Sequence, residues 1–590
     1  MTTRATRSPR RRTVVALAVV LSVLAAFVVR LVDIQVVNAD AHVEQSLGQL
    51  GAGTTIAGRR GSIVDANGTV LASSVLVYDA QLDPLLIVQL ESDPEKKPEL
   101  PWAEASEKIA AVTGQTGDEI RALVDAALAD DPESRYAMLA KSLTTEQYIE
   151  LRDLGLPYLH TKPRETRVYP NGGVAGNLVG FIDSAGKPQA GIEKLESECL
   201  APVDGELTYR RGKDGVVIPG SERTVDAVDG GSVQLTINSD LQWYLTQMIA
   251  EEAQKQGAQG GTVTVVEVKT GKIRAAAEWP YMDPNDLDAT SPETWGNKVF
   301  SYAFEPGSTF KAITAAAVIE GAGATPLTTT TASSRETFPN GAVINDAFPH
   351  PTYNYTLAGA LIDSSNVALS KFGTMVSPEV RYDYLQRFGV GEPTVGFPNE
   401  SGGVLHPVSE WDNQSIYTTT FGQYFMVTAP QVAGAYQAIA NGGEKIELSL
   451  IESCTKADGT VVTPDAPERE QIITPETASQ LTRMLENVAV QSGTAERIAV
   501  PGYRITSKTG TAELAENGRY LSGAYYTSLT GFAPVDDPQY VVVVTMDRPT
   551  KVISSAATAS AYQKAMTQVL KTYRVMPSSV PMDELLPKFD

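Results

Sequence analysis

The first apolar block of the chain runs from Thr13 to Val29, behind Arg4, Arg7, Arg10, Arg11 and Arg12. As a helix it would be about 25 Å long, at the short end of what crosses a bilayer. Arg30 and Asp33 interrupt it, and the apolar pattern resumes at Leu31, Val32, Ile34, Val36 and Val37. A tilted helix over 13–37 is therefore predicted. A cleaved signal peptide is the alternative, but Phe27-Val28-Val29-Arg30 lacks the small residues that a cleavage site needs. An uncleaved anchor is the expectation. The arginines of the 1–12 tail keep the N-terminus inside, so everything after about residue 38 lies outside.

Two strand-like runs then flank Asn67-Gly68, a hairpin signal. Residues 90–100 are charged and Pro-rich and read as a loop. From Trp102 to Leu154 the pattern is helical, with Ile109, Val112, Ile120, Leu123, Val124 and Leu128 apolar, and Thr144-Thr145-Glu146-Gln147 has capping-box character. Arg167 through Glu193 is Gly-rich and loop-like. The acidic and basic residues of this region are scattered and read as solvated faces.

The composition changes near residue 230. Val233–Ile237 reads as a strand and Leu241–Glu252 as a helix; Thr262–Val268 and Lys272–Ala277 read as strands about a Lys269-Thr270-Gly271 turn. An Ala-rich apolar helix opens at Ser308, and a second helical region spans Leu361–Ser370. Tyr525–Phe532 and Tyr540–Met546 form another strand pair, and a helix over about 556–573 follows. Strands at both ends with helices between predict an α+β domain: an antiparallel sheet built from distant segments with helices packed on it.

At 590 residues the chain exceeds one domain. A formal net charge of -22 disfavours nucleic acid as a partner. His42, His160, His350 and His406 show no metal-ligand spacing and no motif of a Ser-His-Asp triad. Neither metal nor cofactor is expected. Cys199 and Cys454 would pair only in an oxidising compartment; two unpaired, partly buried thiols are the expectation.

Three short motifs carry the chemistry: Ser308-x-x-Lys311, Ser364-x-Asn366 and Lys508-Thr509-Gly510. Ser308 starts an apolar helix, where free N–H groups favour a developing anion, and Lys311 lies one turn on. A desolvated lysine near other cations is biased toward its neutral form and serves as a base for a nucleophilic serine. Ser364 is placed to relay a proton and Asn366 to hold a substrate amide or Lys311. Lys508 and Thr509, read at the end of an edge-like strand, are candidates to bind a substrate carboxylate. Gly510 is read as clearing space for substrate along that strand. The N–H groups of Ser308 and Thr511 are the candidate oxyanion hole. Singly these patterns are weak. S-x-x-K recurs at Ser184 to Lys187 and Ser453 to Lys456 in polar, turn-rich stretches, and Lys-Thr-Gly recurs at Lys269 to Gly271. The ordered set is far more specific and resembles that of serine β-lactamases and penicillin-binding proteins.

The resemblance reaches over nearly the whole chain after the anchor. Arg60-Gly61-Ser62-Ile63-Val64-Asp65-Ala66-Asn67-Gly68, Arg167-Val168-Tyr169-Pro170, Val179-Gly180-Phe181, Gly191-Ile192-Glu193, Thr420-Phe421-Gly422-Gln423 and Ala440-Asn441-Gly442-Gly443 resemble class B penicillin-binding proteins, the monofunctional peptidoglycan D,D-transpeptidases of bacteria. Glu305-Pro306-Gly307-Ser308-Thr309-Phe310-Lys311 looks most like the cell-division subgroup rather than the elongation subgroup. Tyr424 stands where the family usually has Gly, and Ser507 where Gly or Ala is common.

The resemblance implies the following organisation: a cytoplasmic tail over 1–12, an anchor over 13–37, an elongated α+β pedestal (dimerisation) domain over 38–232, a transpeptidase domain over 233–576 and a tail over 577–590. It implies a Ser308 acyl-enzyme formed on D-Ala-D-Ala stem peptides during septal wall synthesis and trapped by β-lactams. Its implied partners are the membrane, a SEDS-type glycan polymerase and other division proteins. Arg30 and Asp33 are either a contact with such a partner or groups that snorkel to the interface. The competing readings are a D,D-carboxypeptidase or β-lactamase-like hydrolase and a non-enzymatic scaffold. A large preceding domain and an anchor argue against a β-lactamase; the intact Ser308, Lys311, Ser364, Asn366 and Lys508 argue against a scaffold.

Overall fold

The fold is that of a computed structural model, which describes residues 9–37, 51–93, 100–210, 217–516 and 519–590. It divides into two compact units, Met1–Arg59 with Pro202–Asp229, and Arg60–Ala201 with Gly230–Asp590.

In the first unit a helix spans Pro9–Val32 and closes in a π-helical turn, Asp33–Val37. Its Thr13–Val32 stretch is long and apolar enough to cross a membrane. The two charges that interrupt the apolar pattern pair with each other, Arg30 to Asp33 at 2.6 Å. The same unit holds an antiparallel sheet of Gly51–Ile56, Gly205–Arg210 and Arg223–Val225.

The second unit is built on a five-stranded antiparallel sheet. Its strands are β1 (Gly260–Glu267), β2 (Ile273–Trp279), β3 (Lys508–Glu516), β4 (Arg519–Ala533) and β5 (Tyr540–Asp547), in the order β2-β1-β5-β4-β3. The helices around it are α1 (Ser239–Gln256), α2 (Lys311–Ala322), α3 (Leu357–Ile362), α4 (Asn366–Gly373), α5 (Ala429–Ala440), α6 (Pro475–Gln491) and α7 (Ala559–Thr572). Successive side chains of β5 serve two cores, as the period of two requires. Val542 and Val544 join Leu241, Leu245 and Ile249 of α1 and Met566 and Val569 of α7. Val541 and Val543 join the core that contains Ala315 and Ala316 of α2 and Tyr436 of α5. β3 forms one edge of the sheet.

A second sheet joins Ile63–Val64, Val70–Leu82, Ala137–Leu143 and Leu159–Val168 with Ser232–Leu235, Ile451–Thr455 and Val461–Val462. The Asn67-Gly68 hairpin forms as predicted, Ile63 opposite Ala72. Its Asp65 carboxylate accepts from Asn67 N and Thr69 N at 2.8 Å, and from Ser239 N and Oγ at 3.0 and 2.7 Å. The hairpin is thereby tied to the start of α1. Burial alone would raise the Asp65 pKa, but the bonds from Ser239 lead a set that lowers it.

Several expectations need correction. The stretch read as helical over 102–154 contains helices Trp102–Thr113, Gly117–Asp130 and Thr145–Asp153, but Ala137–Leu143 is a strand against Val70–Leu82. A short apolar run carries no period long enough to separate strand from helix, and the partner strand decides. Around the loop read at 90–100, a helix reaches Ser92, and residues 94–99 lie outside the described residues. The loop-like stretch from Arg167 begins on the strand Leu159–Val168. Not all charges of this region are solvated. Glu193 is fully buried and takes Arg60 Nε and Arg167 Nε at 2.6 Å each. Cys199 and Cys454 are not free thiols but form a disulfide that clamps strand Ile451–Thr455 to the Ser197–Leu200 turn, across 255 residues of sequence. Sequence distance concealed a proximity that the sheet creates through Ser232–Leu235.

Candidate active site

The three motifs converge within the second unit. Ser308 lies in a 3-10 turn, Gly307–Phe310, that runs directly into α2. The turn is held from several sides. Gly307 N–H donates to Gly422 O at 2.9 Å, Thr309 Oγ1 to Pro306 O at 2.8 Å, and Tyr436 Oη of α5 to Thr309 O at 2.8 Å. Gly307 and Gly422 both have φ in the left-handed region, +54° and +86°, and a Cβ on Gly422 would overlap Gly307 O. Both positions therefore demand glycine. The Ser308 hydroxyl is half-buried and makes no hydrogen bond among the described residues.

Lys311, the first residue of α2, is fully buried. Its Nζ donates to Asn366 Oδ1 at 2.7 Å, to Ser364 Oγ at 3.2 Å and to Ser364 O. Burial pushes its pKa well below that of an ordinary lysine; the nearby Lys508 pushes it the same way, and Asp346 opposes. Lys508 is also fully buried, and its Nζ donates to Ser364 Oγ at 2.9 Å. Desolvation brings its pKa down to about 7.

The predicted second helical region is in fact two helices, α3 and α4, broken at Asp363–Ser365. Ser364 takes φ +56° at the break. A continuous helix would project Ser364 along α3; the bend instead turns its hydroxyl and carbonyl to the two lysines. Asp346, which no motif marked, holds the far side of the bend. Its carboxylate accepts from Ser365 Oγ at 2.7 Å, Asn366 N at 2.5 Å, Val367 N at 2.9 Å and His350 Nε2 at 2.8 Å. This is anion capping of a helix N-terminus from a remote loop. The residue lies 20 positions before Asn366, a distance at which capping leaves no sequence signal.

Lys508 begins the edge strand β3 rather than ending one, so Thr509, Gly510 and Thr511 lie within that strand. Lys508 and Gly510 point inward, Thr509 and Thr511 to the half-exposed side. A Cβ on Gly510 would overlap Ser528 Oγ and lie 2.8 Å from Pro306 O, so the packing around β3 itself calls for glycine here. The Gly307 turn abuts Thr511: a Cβ on Gly307 would lie 3.2 Å from Thr511 O. Thr511 Oγ1 accepts from Ser555 N at 3.1 Å.

Glu305, three residues before Ser308, accepts from Tyr424 N at 2.8 Å and Tyr520 Oη at 3.1 Å. Its burial raises its pKa. Tyr424 has φ +71°, in the left-handed region that glycine enters without strain and a bulky residue rarely does. The tyrosine is held there by its hydroxyl on Glu410 O at 3.0 Å and its ring on His406, centroids 4.8 Å apart. Ser507 is fully buried, and its hydroxyl has no partner among the described residues. The look-alike motifs stay outside. Lys269-Thr270-Gly271 is the β1–β2 turn, Ser184 lies in an exposed turn, and Ser453 lies in a strand of the second sheet.

A serine without a hydrogen-bond partner among the described residues, a buried lysine three residues on, and a second lysine joined to it through Ser364, beside an edge strand, make up the residue set of serine acyl-transferases of the penicillin-interacting type. The chain belongs to the penicillin-binding proteins: residues 261–571 match the penicillin-binding protein transpeptidase domain and residues 55–235 the penicillin-binding protein dimerisation domain. It is 33% identical to penicillin-binding protein PbpB of Mycolicibacterium smegmatis over 92% of this chain and 87% of that one. It is 27% identical to the peptidoglycan D,D-transpeptidase FtsI of Escherichia coli K12 over 95% and 92%. Among solved structures it resembles a peptidoglycan synthetase of Bifidobacterium adolescentis, with TM-score 0.72, 29% identity and coverage of 91% and 100%. Penicillin-binding protein 3 of Mycobacterium tuberculosis, in complex with aztreonam, matches with TM-score 0.69, 25% identity and the same coverage.

Proposed function

We propose that this protein is a septal peptidoglycan D,D-transpeptidase working through a Ser308 acyl-enzyme. The observation that carries the reading is the state of Lys311: fully buried, held by Ser364 and Asn366, and biased to the neutral amine one turn from an unpaired serine. Neutral Lys311 takes the Ser308 proton as Oγ attacks the carbonyl carbon of the penultimate D-Ala. The tetrahedral oxyanion is met by the N–H groups of Ser308 and Thr511. The C–N bond to the terminal D-Ala breaks, and the proton passes through Ser364 to the leaving amine. An amine of a neighbouring stem then attacks the ester carbonyl carbon and loses its proton to Lys311; the C–O bond to Ser308 breaks, and Lys311 returns that proton to Oγ to re-form the hydroxyl. Thr509 meets the donor carboxylate with Lys508 charging it from behind, and Asn366 holds the amide. β-Lactams acylate the same serine. Relatives named as D,D-transpeptidases and a relative's complex with aztreonam support this chemistry.

The reading keeps the chain division given above: tail 1–12, anchor 13–37, pedestal 38–232, transpeptidase domain 233–576 and tail 577–590. The anchor runs with its arginines in the cytoplasm and the catalytic unit outside. A SEDS-type glycan polymerase and other division proteins are the proposed partners.

Labelled penicillin tests the chemistry. A stable adduct mapped to Ser308 and lost in Ser308→Ala is expected; no adduct, or one that survives that change, ends the proposal. Rapid turnover of the adduct would indicate a hydrolase instead. Lys311→Ala abolishes acylation while Lys187→Ala and Lys456→Ala do not, and changing Lys508 lowers reactivity where changing Lys269 leaves it intact.

A further inference from the structure

Residues 577–590 fall beyond the span of the transpeptidase family match, which stops at 571. They look like a dispensable tail, yet residues 584–590 return to the catalytic core. Glu584 O and Leu586 O accept from Arg483 Nη2 and Gln491 Nε2 of α6 at 3.1 and 3.0 Å, and Leu586 N–H donates to Asn487 Oδ1 at 2.9 Å. The Leu586 side chain is buried in the main core. Thr356, which caps α3, gives its N–H to Lys588 O at 3.0 Å and its hydroxyl to Pro587 O at 2.6 Å. The backbone of Lys588 lies so close to Gly359 that a Cβ there would overlap it.

The two side chains that follow reach the bend between α3 and α4 from its two sides. Lys588 Nζ donates to Asp363 Oδ1 at 2.6 Å, one residue before Ser364. The Phe589 ring stacks on Tyr353 at 4.3 Å and leans on Tyr355 at 5.0 Å. Tyr353 in turn stacks on His350 at 5.3 Å, and His350 Nε2 bonds the Asp346 carboxylate that caps α4. The bend thus has one external hold on the Asp363 side and another on the Asn366 side. A residue in the left-handed region persists only where its surroundings over-determine it, and Ser364 is such a residue.

We propose that residues 584–590 are a strap that sets the Ser364–Asn366 bend, and that Lys588 and Phe589 are positioning residues for acylation. Lys588 fixes the bend through Asp363; Phe589 fixes it through Tyr353, His350 and Asp346. Neither touches substrate. The proposal rests on the acyl-enzyme reading above.

The test uses the full-length chain and a fluorescent penicillin, reading separately the stoichiometry of acylation and its rate constant at saturation. Lys588→Met keeps the stem of the side chain and removes its charge; Phe589→Leu keeps bulk and removes the ring. In each, acylation at Ser308 still reaches the wild-type stoichiometry, but the rate constant falls about tenfold, the scale of a small misplacement of reacting groups. Lys588→Arg restores most of the rate. A strap that is only structural would lower the stoichiometry, through an inactive fraction, and leave the rate of the remainder unchanged. That result, or wild-type behaviour in both variants, overturns the proposal. Failure of the wild-type chain to acylate at Ser308 would instead remove the reading on which it rests.

Discussion

Lys311 and Lys508 meet on one hydroxyl: their Nζ atoms lie 3.2 and 2.9 Å from Ser364 Oγ. A single oxygen cannot serve two full ammonium ions without cost, and both groups are desolvated, so their protonation is linked. Acylation should follow the neutral fraction of Lys311.

Removing the second charge therefore has a defined sign. Lys508 takes up a proton as pH falls through about 7, and in that state it pushes the Lys311 pKa down. In Lys508→Met this push is absent, Lys311 holds its proton more tightly, and the acid limb of the acylation profile moves to higher pH. Penicillin acylation rates between about pH 5 and 9 measure it. An acid limb that stays in place would show that the lysines do not interact.

Asp346 acts in the opposite direction, because its charge favours the protonated Lys311. Asp346→Asn should move the acid limb to lower pH. It also weakens the cap of α4 and should lower stability by about 1–2 kcal/mol. Denaturant unfolding and the same pH series, run on one preparation, separate the two effects.

The His350–Asp346 pair adds a pH term to stability. Burial disfavours a charged His350, but the bonds to Asp346 and to Pro351 O outweigh it and raise its pKa. A raised folded-state pKa means stabilisation present below the unfolded value near 6.5 and lost as pH rises through the folded value. Comparison of wild type with His350→Gln by thermal unfolding should show a gap that narrows as pH rises across that window.

Away from the site, Glu193 neutralises two guanidiniums, and Arg167 is nearly as buried as the glutamate itself. Glu193→Ala strands them and should cost about 3–5 kcal/mol. The midpoint of denaturant unfolding should fall, while the acylation rate of the folded fraction stays at the wild-type value. A midpoint close to wild type would mean that water replaces the carboxylate.

Joining Cys199 to Cys454 closes 255 residues, for which chain entropy predicts stabilisation of roughly 5 kcal/mol as an upper bound. Reduction, or the double change to Ser, should lower the unfolding midpoint without changing the acylation rate constant. Equal stability of oxidised and reduced protein would place the constraint in a part of the chain that does not unfold cooperatively.

Local features of the chain were legible in its order of residues. Asn67-Gly68 gave a hairpin, the alanine run after Lys311 a buried helix, and Tyr525–Phe532 with Tyr540–Met546 an antiparallel pair, because turn chemistry and apolar period act over a few residues. Ala137–Leu143 was misread because only its partner strand makes it a strand. The bend at Ser364 leaves no mark in the sequence because Leu361–Ser370 has an acceptable helical pattern throughout, and the groups that hold the break, Asp346 on Ser365 and Lys508 on Ser364, come from remote segments.

Apolar pattern and spacing thus pointed to the α+β class and the apolar N-terminal helix, and the resemblance of the ordered motifs to those of penicillin-binding proteins grouped Ser308, Lys311, Ser364, Asn366 and Lys508. Tertiary structure alone decided what those residues face. It made Lys311 and Lys508 share a hydroxyl across 144 residues of chain from Ser364 to Lys508, set Asp346 on the start of α4, and brought Lys588 to Asp363 across 225. The physical reason is range. Propensity and period report what neighbours along the backbone do, whereas desolvation, charge coupling and remote capping depend on which segments the core brings together.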